Sequence, residues 1–317
     1  MYTFGRNENG EVGSLKIKAD WISADLIDYR GAFGIKVVSI HRQVINLLVE
    51  SWPHLLLLAG PELYRGPATL GFSEENFVSL KGVVGQIDRG YFAGGRLVLE
   101  GSGIEATLNW FGVPVLSFIL PPRPTSSPDW VKTNLANCRY ALMEETGRSA
   151  AAILLGLDGG EPYFREKFIT NFPQFVAALI EGNEADLIHY SQNIIGLGRG
   201  STPTGDDLVC GAMLAGRYHA LWNGQTNWRR PALAVNRSTV TTALSVHSLE
   251  LGARGLAVAP VRNHLLSLFS EKWDRESLSR LLMMGSSTGY DLAVSMQVTL
   301  EYCFGIQTAG LLEPGYG

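Results

Sequence analysis

The pattern of hydrophobic and polar positions changes character near residue 120. Before it, short apolar runs are separated by glycine-containing turns, a pattern typical of β-strands. These runs are "SLKIKADWI", "GIKVVSI", "HLLLLAG", "FVSL", "RLVLE", "IEATLNW" and "PVLSFIL". The clearest element is a hairpin in "RLVLEGSGIEATL", whose "GSG" supplies glycines for a tight turn. One helix is predicted around "HRQVINLLVESW", ending at Pro53.

After the proline-rich segment "PPRPTSSP", residues 121–128, apolar residues recur at helical intervals. The first predicted helix has Ser127 as its N-cap and Pro128 at its first position, and it stops at Gly147. Further helices are predicted in "PQFVAALIEG", "EADLIHYSQNII", "DDLVCGAMLAGRYHALW", "STVTTALSVHSLELGARG", "VRNHLLSLF", "DRESLSRLLMM" and "DLAVSMQVTLEYCF".

Together these patterns predict an α+β protein with two domains. Residues 1–122 are expected to form a β-rich, barrel- or sandwich-like N-terminal domain. Residues 123–317 are expected to form a mainly α-helical C-terminal domain. A chain of 317 residues, 46% of them hydrophobic, is long enough to build two cores.

Charge and cysteine content narrow the classes of function. The formal net charge is −4 and no basic block is present, which argues against nucleic-acid binding. The three cysteines are far apart and lack ligand spacing, which favours a reducing, cytoplasmic protein without a disulfide framework or zinc site. No apolar stretch reaches the roughly 18 residues of a membrane span, so no membrane association is expected.

Candidate chemistry concentrates in "GLGRGSTPTGDD", residues 196–207, just before an apolar helix. Glycines there free backbone N–H groups near a helix N-terminus, an arrangement that attracts anions. Arg199 adds a guanidinium suited to a carboxylate or phosphoryl group. The predicted substrate-binding residues of this loop are Gly198, Arg199, Gly200, Ser201, Thr202, Thr204 and Gly205.

The loop ends in Asp206 and Asp207, which are the predicted catalytic residues. Thr204 and Asp207 also have the spacing of a capping box, which is a structural explanation for both. Two carboxylates would repel a bare anion, and three interpretations stay open. One aspartate caps while the other accepts a hydrogen bond from a ligand amide; both hold Mg²⁺ that bridges to the anion; or one acts as a general base.

A similar segment, "SSTGYDLAVSM", follows 84 positions later. Its Thr288, Gly289 and Asp291 repeat the T-G-x-D-L pattern that begins at Thr204. Either the two are independent helix caps, or two equivalent helix N-termini meet at one ligand site. The latter interpretation adds Thr288, Gly289 and Asp291 to the candidate binding residues.

Hydroxyls also line the predicted helix between these segments. Thr241, Ser245 and Ser248 are spaced to share one helix face. Such small side chains either allow close helix packing or form a polar wall of the site. In the second case Thr241 and Ser245 contact the substrate, while the neighbouring His247 is a weaker candidate base.

These three segments resemble the AllH-like family, whose pattern is GLGPGLTPSGDD, a hydroxyl-rich helix and G-TSG-D. The resemblance covers roughly residues 190 to 295. The chain departs from the pattern at Arg199, Ser201 and Thr204, where the family has proline, leucine and serine.

The resemblance implies a subunit of an oxamate carbamoyltransferase-like complex in purine or allantoin nitrogen catabolism. Its ligand would be a small anionic metabolite, namely phosphate, carbamoyl phosphate or an oxamate-like acid, and its partner an FdrA-like subunit. Two alternatives remain. One is a Mg²⁺-dependent hydrolase or phosphotransferase using Asp206, Asp207 and Asp291, and the other is a non-catalytic scaffold in which both loops are only caps.

Overall fold

The computed structural model describes residues 13–121, 126–145, 149–158, 162–225, 228, 231 and 241–306. The chain divides into two compact units, Met1–Phe118 and Ile119–Gly317. The first unit is mainly β-sheet and the second is mainly helical. The predicted α+β fold class, with a β-rich part followed by a helical part, is therefore confirmed.

The first unit is built on one curled, ten-stranded mixed sheet. The strands, in chain order, are β1 Gly13–Lys18, β2 Trp21–Ser23, β3 Gly31–Ile40, β4 Val44–Val49, β5 Leu55–Ala59, β6 Thr69–Gly71, β7 Ile87–Ala93, β8 Arg96–Gly101, β9 Ile104–Asn109 and β10 Val115–Leu116. Their order across the sheet is β1-β9-β8-β7-β3-β4-β5-β6-β2-β10. The predicted hairpin is β8 and β9, paired antiparallel, and its turn contains Gly103 at a φ of +78°.

The helix predicted around "HRQVINLLVESW" is wrong, because the middle of this segment is strand β4. β4 pairs antiparallel with β3 on one side and with β5 on the other. Its β-branched residues Val44, Ile45 and Val49 favour a strand once both neighbours supply backbone partners.

In the described part of this unit the α-helix is α1, Glu74–Val83, and it contains the "FVSL" run that was predicted as a strand. Ser73 caps it by accepting a hydrogen bond from the Asn76 N–H, and two acids follow in the first turn. Phe77, Leu80 and Val83 are its buried residues, and their spacing of three places them on one helix face.

The second unit is helical. Its described helices are α2 Pro128–Glu144, α3 Pro162–Glu181, α4 Glu184–Gln192, α5 Thr204–Trp222, α6 Ala243–Ala253, α7 Ala259–Leu268, α8 Arg275–Leu282 and α9 Thr288–Cys303. The predicted start of α2 is confirmed, since Ser127 accepts a hydrogen bond from the Trp130 N–H and a proline opens the helix. The predicted stop at Gly147, residues 122–125 of the proline-rich segment and residues 238–240 lie outside the described residues.

Helices α5 and α9 run side by side in the same direction through the centre of this unit. Thr202 and Thr288, at their starts, are in contact. Further along, the Ser295 hydroxyl of α9 donates a hydrogen bond to the Leu208 carbonyl of α5, and Gly211 packs against Ser295. Both helices are buried over nearly their whole length. They therefore form the central helix pair of this unit, and they fix the positions of the residues at their N-terminal ends.

None of the helices in the described ranges is long and apolar enough to cross a membrane.

Candidate functional site

Neither α5 nor α9 begins with a side-chain cap. The capping box predicted from Thr204 and Asp207 is wrong, because Pro203 occupies the N-cap and Thr204 is already the first helical residue. Ser287, the N-cap of α9, also makes no side-chain cap bond. A capping hydroxyl must precede the first turn. The hydroxyls and carboxylates of these first turns therefore face other partners.

The two helix starts lie against each other and have the same local packing. The Oγ1 atoms of Thr202 and Thr288 are 2.7 Å apart. A Cβ at Gly205 would lie 1.9 Å from the Ile194 carbonyl oxygen, and a Cβ at Gly289 would lie 1.9 Å from the Leu281 carbonyl oxygen. The absence of a side chain at each glycine thus allows the first turn of its helix to pack directly against the preceding backbone. The repeated T-G-x-D-L pattern corresponds to two equivalent helix N-termini whose positive ends adjoin.

The glycine-rich loop before α5 adopts left-handed backbone conformations at Gly196, Gly198 and Gly200, with φ of +85°, +122° and +98°. A Cβ at Gly198 would lie 2.6 Å from the Thr204 backbone nitrogen. Arg199 and the two residues after it are exposed, whereas Thr204, Gly205 and both aspartates are buried. The predicted binding loop therefore has an exposed tip at Arg199, Gly200 and Ser201, and a buried base.

Asp206 is buried, and both of its carboxylate oxygens are occupied by donors from the protein. Oδ1 accepts a hydrogen bond of 2.8 Å from the Gly196 N–H, and Oδ2 accepts one from the Thr241 hydroxyl. Burial raises the pKa of Asp206, while Thr241, Gly196 and Ser245 oppose that rise. Asp206 therefore ties the glycine-rich loop and the segment before α6 to the start of α5.

Thr241 lies outside helix α6, which begins at Ala243. Thr242 is the N-cap and accepts a hydrogen bond of 3.1 Å from the Ser245 N–H, so its hydroxyl stops the helix from extending backwards. The prediction that Thr241 shares a helix face with Ser245 and Ser248 is wrong. Thr241 still reaches the site, through Asp206.

We expect Thr241→Val to lower the free energy of unfolding by about 1–3 kcal/mol, because it leaves one buried oxygen of Asp206 without a donor. Urea denaturation measures the loss. The matched control is Thr107→Val, since the Thr107 hydroxyl bonds only to the half-buried side chain of Glu105 at 3.4 Å. Equal losses in the two variants would contradict the anchoring role of Asp206.

Asp207 and Asp291 come from the two different helices, and both are buried. Within the described residues, Asp207 Oδ2 and both carboxylate oxygens of Asp291 have no hydrogen-bond partner. Burial raises the pKa of Asp207 well above its ordinary value, and the negative charges of Asp291 and Asp206 raise it further. The hydroxyls of Thr288 and Thr202 act in the opposite direction.

Burial also raises the pKa of Asp291, to about 6, against the opposing effect of the hydroxyls of Ser149, Thr204 and Ser287. Asp207 and Asp291 thus form a pair of buried acids in which the negative charge of one disfavours ionisation of the other. Two neighbouring buried acids that both have raised pKa values are suited to hold one proton between them.

Two contributors to this site were absent from the predicted set. Ser287 immediately precedes the repeated T-G-x-D pattern in "GSSTGYD", so its position in the sequence could have indicated that it belongs to the site. Ser149 caps a short 3₁₀ helix, Ala150–Leu155, and lies 3.4 Å from the Thr204 hydroxyl. Nothing in the local sequence of Ser149 connects it to a segment more than 50 positions away.

The acids do not form a metal-binding set. No group of three or more His, Cys, Asp or Glu side chains in the described ranges is arranged to hold a metal ion. The Mg²⁺-dependent alternative built on Asp206, Asp207 and Asp291 has no support from their arrangement, since two oxygens of Asp206 are already engaged by protein donors.

The structure defines an α+β protein whose helical unit joins two parallel helix N-termini around buried acids. The family model for the oxamate carbamoyltransferase subunit AllH matches residues 194–300. This match confirms the resemblance predicted from the three motifs. The matched segment runs from just before the glycine-rich loop into α9, and it contains every predicted site residue. No solved structure matches the chain.

Proposed function

We propose that this chain is a subunit of a carbamoyl-transferring enzyme complex, and that the paired N-termini of α5 and α9 handle its small anionic substrate. The family match supports the first part, since the family is described as a subunit of oxamate carbamoyltransferase. One observation carries the second part: three buried oxygens of Asp207 and Asp291 make no hydrogen bond of normal geometry in the described residues, and only hydroxyl groups act on these carboxylates. Buried polar atoms in folded proteins are nearly always satisfied, so unsatisfied ones call for an explanation.

The reaction of such a complex makes use of a protonated acid. Oxalurate and phosphate give oxamate and carbamoyl phosphate: the bond from the carbamoyl carbon to the oxamate nitrogen breaks, and a bond from that carbon to a phosphate oxygen forms. The departing nitrogen takes up one proton, and the attacking hydrogen phosphate gives one up. An acid with a raised pKa supplies the first proton and accepts the second. In our proposal Asp207 has this role, and the negative charge of Asp291 helps to keep it protonated.

The surrounding groups suit an anion with amide donors. The positive ends of the two helices attract negative charge, and a neutral Asp207 does not repel it. The ionised Asp291 accepts hydrogen bonds from the carbamoyl nitrogen. Arg199, on the exposed tip of the loop, pairs with the substrate carboxylate or with phosphate. Asp206 acts as a positioning residue, because both of its oxygens are already engaged.

The proposal requires the glycine-rich loop to move. The unpartnered oxygens of Asp207 and Asp291 are shut off from solvent, so a substrate reaches them only when residues 196–203 swing away. The left-handed glycines of the loop permit backbone changes that other residues resist. Loops that close over a substrate also exclude water, which here prevents hydrolysis of carbamoyl phosphate.

The scaffold alternative is less well supported. It explains both loops as helix caps, but the N-caps of α5 and α9 make no side-chain cap bonds. We also propose a cytoplasmic location and an FdrA-like partner subunit. The former agrees with the free state of Cys138, Cys210 and Cys303.

A pair of threonine variants on one helix tests the site. Oxamate or carbamoyl phosphate should raise the melting temperature of the wild type through preferential binding to the folded state. Thr288→Val should reduce this rise, because the Thr288 hydroxyl bonds to Thr202 across the two helix starts. Thr299→Val is the matched control: Thr299 is also buried in α9, and its hydroxyl has no partner within the described residues. An equal rise in both variants would rule out the proposed site.

A further inference from the structure

One hydroxyl joins the start of α6 to the exposed tip of the glycine-rich loop. Thr242, the N-cap of α6, donates a hydrogen bond from its hydroxyl to the backbone carbonyl of Ser201. The same oxygen accepts a hydrogen bond of 3.1 Å from the Ser245 N–H, which caps the helix. A hydroxyl has one donor and two acceptor positions, so both bonds form at the same time. Thr242 therefore links the tip of the loop to a helix other than the one that the loop precedes.

The base of the loop is held in a different way. The Gly196 N–H donates a hydrogen bond of 2.8 Å to the buried carboxylate of Asp206, and the Leu197 carbonyl accepts one of 2.8 Å from the Gly205 N–H. Both contacts join the loop to the first turn of α5. The two parts of the loop are thus held by different helices, the base by α5 and the tip by α6.

The bond at the tip is suited to open and close. Ser201 is exposed and Thr242 is half-buried, so water replaces the lost partner when this bond opens, and the net free energy of the bond is small. The glycines on either side of Arg199 are left-handed and permit the backbone to turn there. Opening leaves the bond from the Ser245 N–H to Thr242 intact, so α6 keeps its cap in both states of the loop.

We propose that Thr242 is the latch of the glycine-rich loop, a positioning residue that holds the loop closed and keeps Arg199 in place. What the loop closes over rests on the proposed function, namely a small anion at the starts of α5 and α9, from which the closed loop excludes water. The latch itself does not depend on the identity of that ligand, because it follows from the contacts of Thr242 with Ser201 and Ser245.

Limited digestion of the full-length chain with trypsin tests the latch. Trypsin cleaves after arginine, and it cuts a loop efficiently only when the loop has left its closed position. Thr242→Asp keeps an acceptor for the helix cap but has no hydroxyl to donate, so it should be cut after Arg199 about fivefold faster than the wild type. Thr242→Ser keeps both bonds and should be cut at the wild-type rate. Ser127→Asp is the matched control, since it changes the N-cap of α2 in the same way, and it should also be cut at the wild-type rate.

Cleavage after Arg280, which lies inside α8, reports unfolding of that helix rather than movement of the loop. The proposal is overturned if Thr242→Asp is cut after Arg199 no faster than the wild type, if Thr242→Ser is cut as fast as Thr242→Asp, or if cleavage after Arg280 accelerates by the same factor. Oxamate or carbamoyl phosphate should slow the cleavage of the wild type after Arg199. Absence of this protection, with all variants behaving as expected, would contradict the proposed function and leave the latch in place.

Discussion

Gly205→Ala and Gly289→Ala are each expected to lower the free energy of unfolding by about 3 kcal/mol or more. A Cβ at either position would lie 1.9 Å from a backbone carbonyl oxygen, that of Ile194 or that of Leu281. Backbone cannot rotate away as a side-chain end does, so the start of the helix must shift. The shift also separates Thr202 from Thr288 and opens the site.

Urea denaturation of both variants measures this effect, with Gly82→Ala as the matched control. Gly82 lies inside α1, and beyond its chain neighbours and the backbone of its own helix no described atom lies within 4 Å of the position that a Cβ would take there. Alanine at this position should therefore stabilise the protein by roughly 0.5–1 kcal/mol. Gly205→Ala or Gly289→Ala with near-wild-type stability would contradict the close packing of the helix starts.

Asp291→Asn is expected to stabilise the protein at pH 7. Burial raises the pKa of Asp291 from its ordinary 3.8 to about 6, so the folded state keeps a proton that the unfolded chain releases. The contribution of Asp291 to the free energy of unfolding of the wild type therefore falls as the pH rises from about 4 to about 6, and it stays low above that range. This rise in pKa corresponds to a loss of about 3 kcal/mol of folding free energy when Asp291 ionises. Asparagine cannot ionise, so the variant avoids this loss.

Urea denaturation at pH 4, 5, 6 and 7 follows the difference between Asp291→Asn and the wild type. The difference should be near zero at pH 4 and grow to about 3 kcal/mol at pH 7. Asp158→Asn is the control, because the Asp158 side chain is 96% exposed, and it should stay close to the wild type throughout. A difference that is flat with pH, or a variant less stable at pH 7, would contradict the burial of an ionisable Asp291.

Features governed by neighbouring residues were predictable from the sequence. The β8–β9 hairpin follows from two alternating segments around glycines, and the start of α2 follows from Ser127 and Pro128. The fold class follows from the change of hydrophobic period near residue 120. The repeated T-G-x-D-L pattern identified the two helix N-termini that lie together. Both contain a glycine at the same position because both pack closely against the backbone that precedes them.

Features decided by distant partners were not predictable. The β4 segment has an ambiguous apolar pattern, and pairing with β3 and β5 decides its conformation. The capping-box prediction was wrong because Pro203 is the N-cap of α5, so Thr204 is the first residue of the helix. Ser149 approaches Asp291 from a separate segment, and Arg217 meets Gly255 only after α6 has folded against α5. Such contacts leave no periodic trace in the sequence.

The role of Asp207 is the central claim, and the carbamoyl transfer rate of the assembled complex tests it most directly. Carbamoyl phosphate formed from oxalurate and phosphate at pH 7 should fall by about 100-fold or more in kcat/KM for Asp207→Asn, because asparagine cannot donate the proton. The variant should remain folded and melt no lower than the wild type, since a buried ionisable group is removed. Asp158→Asn should keep the full rate. A rate for Asp207→Asn within about threefold of the wild type would contradict the account.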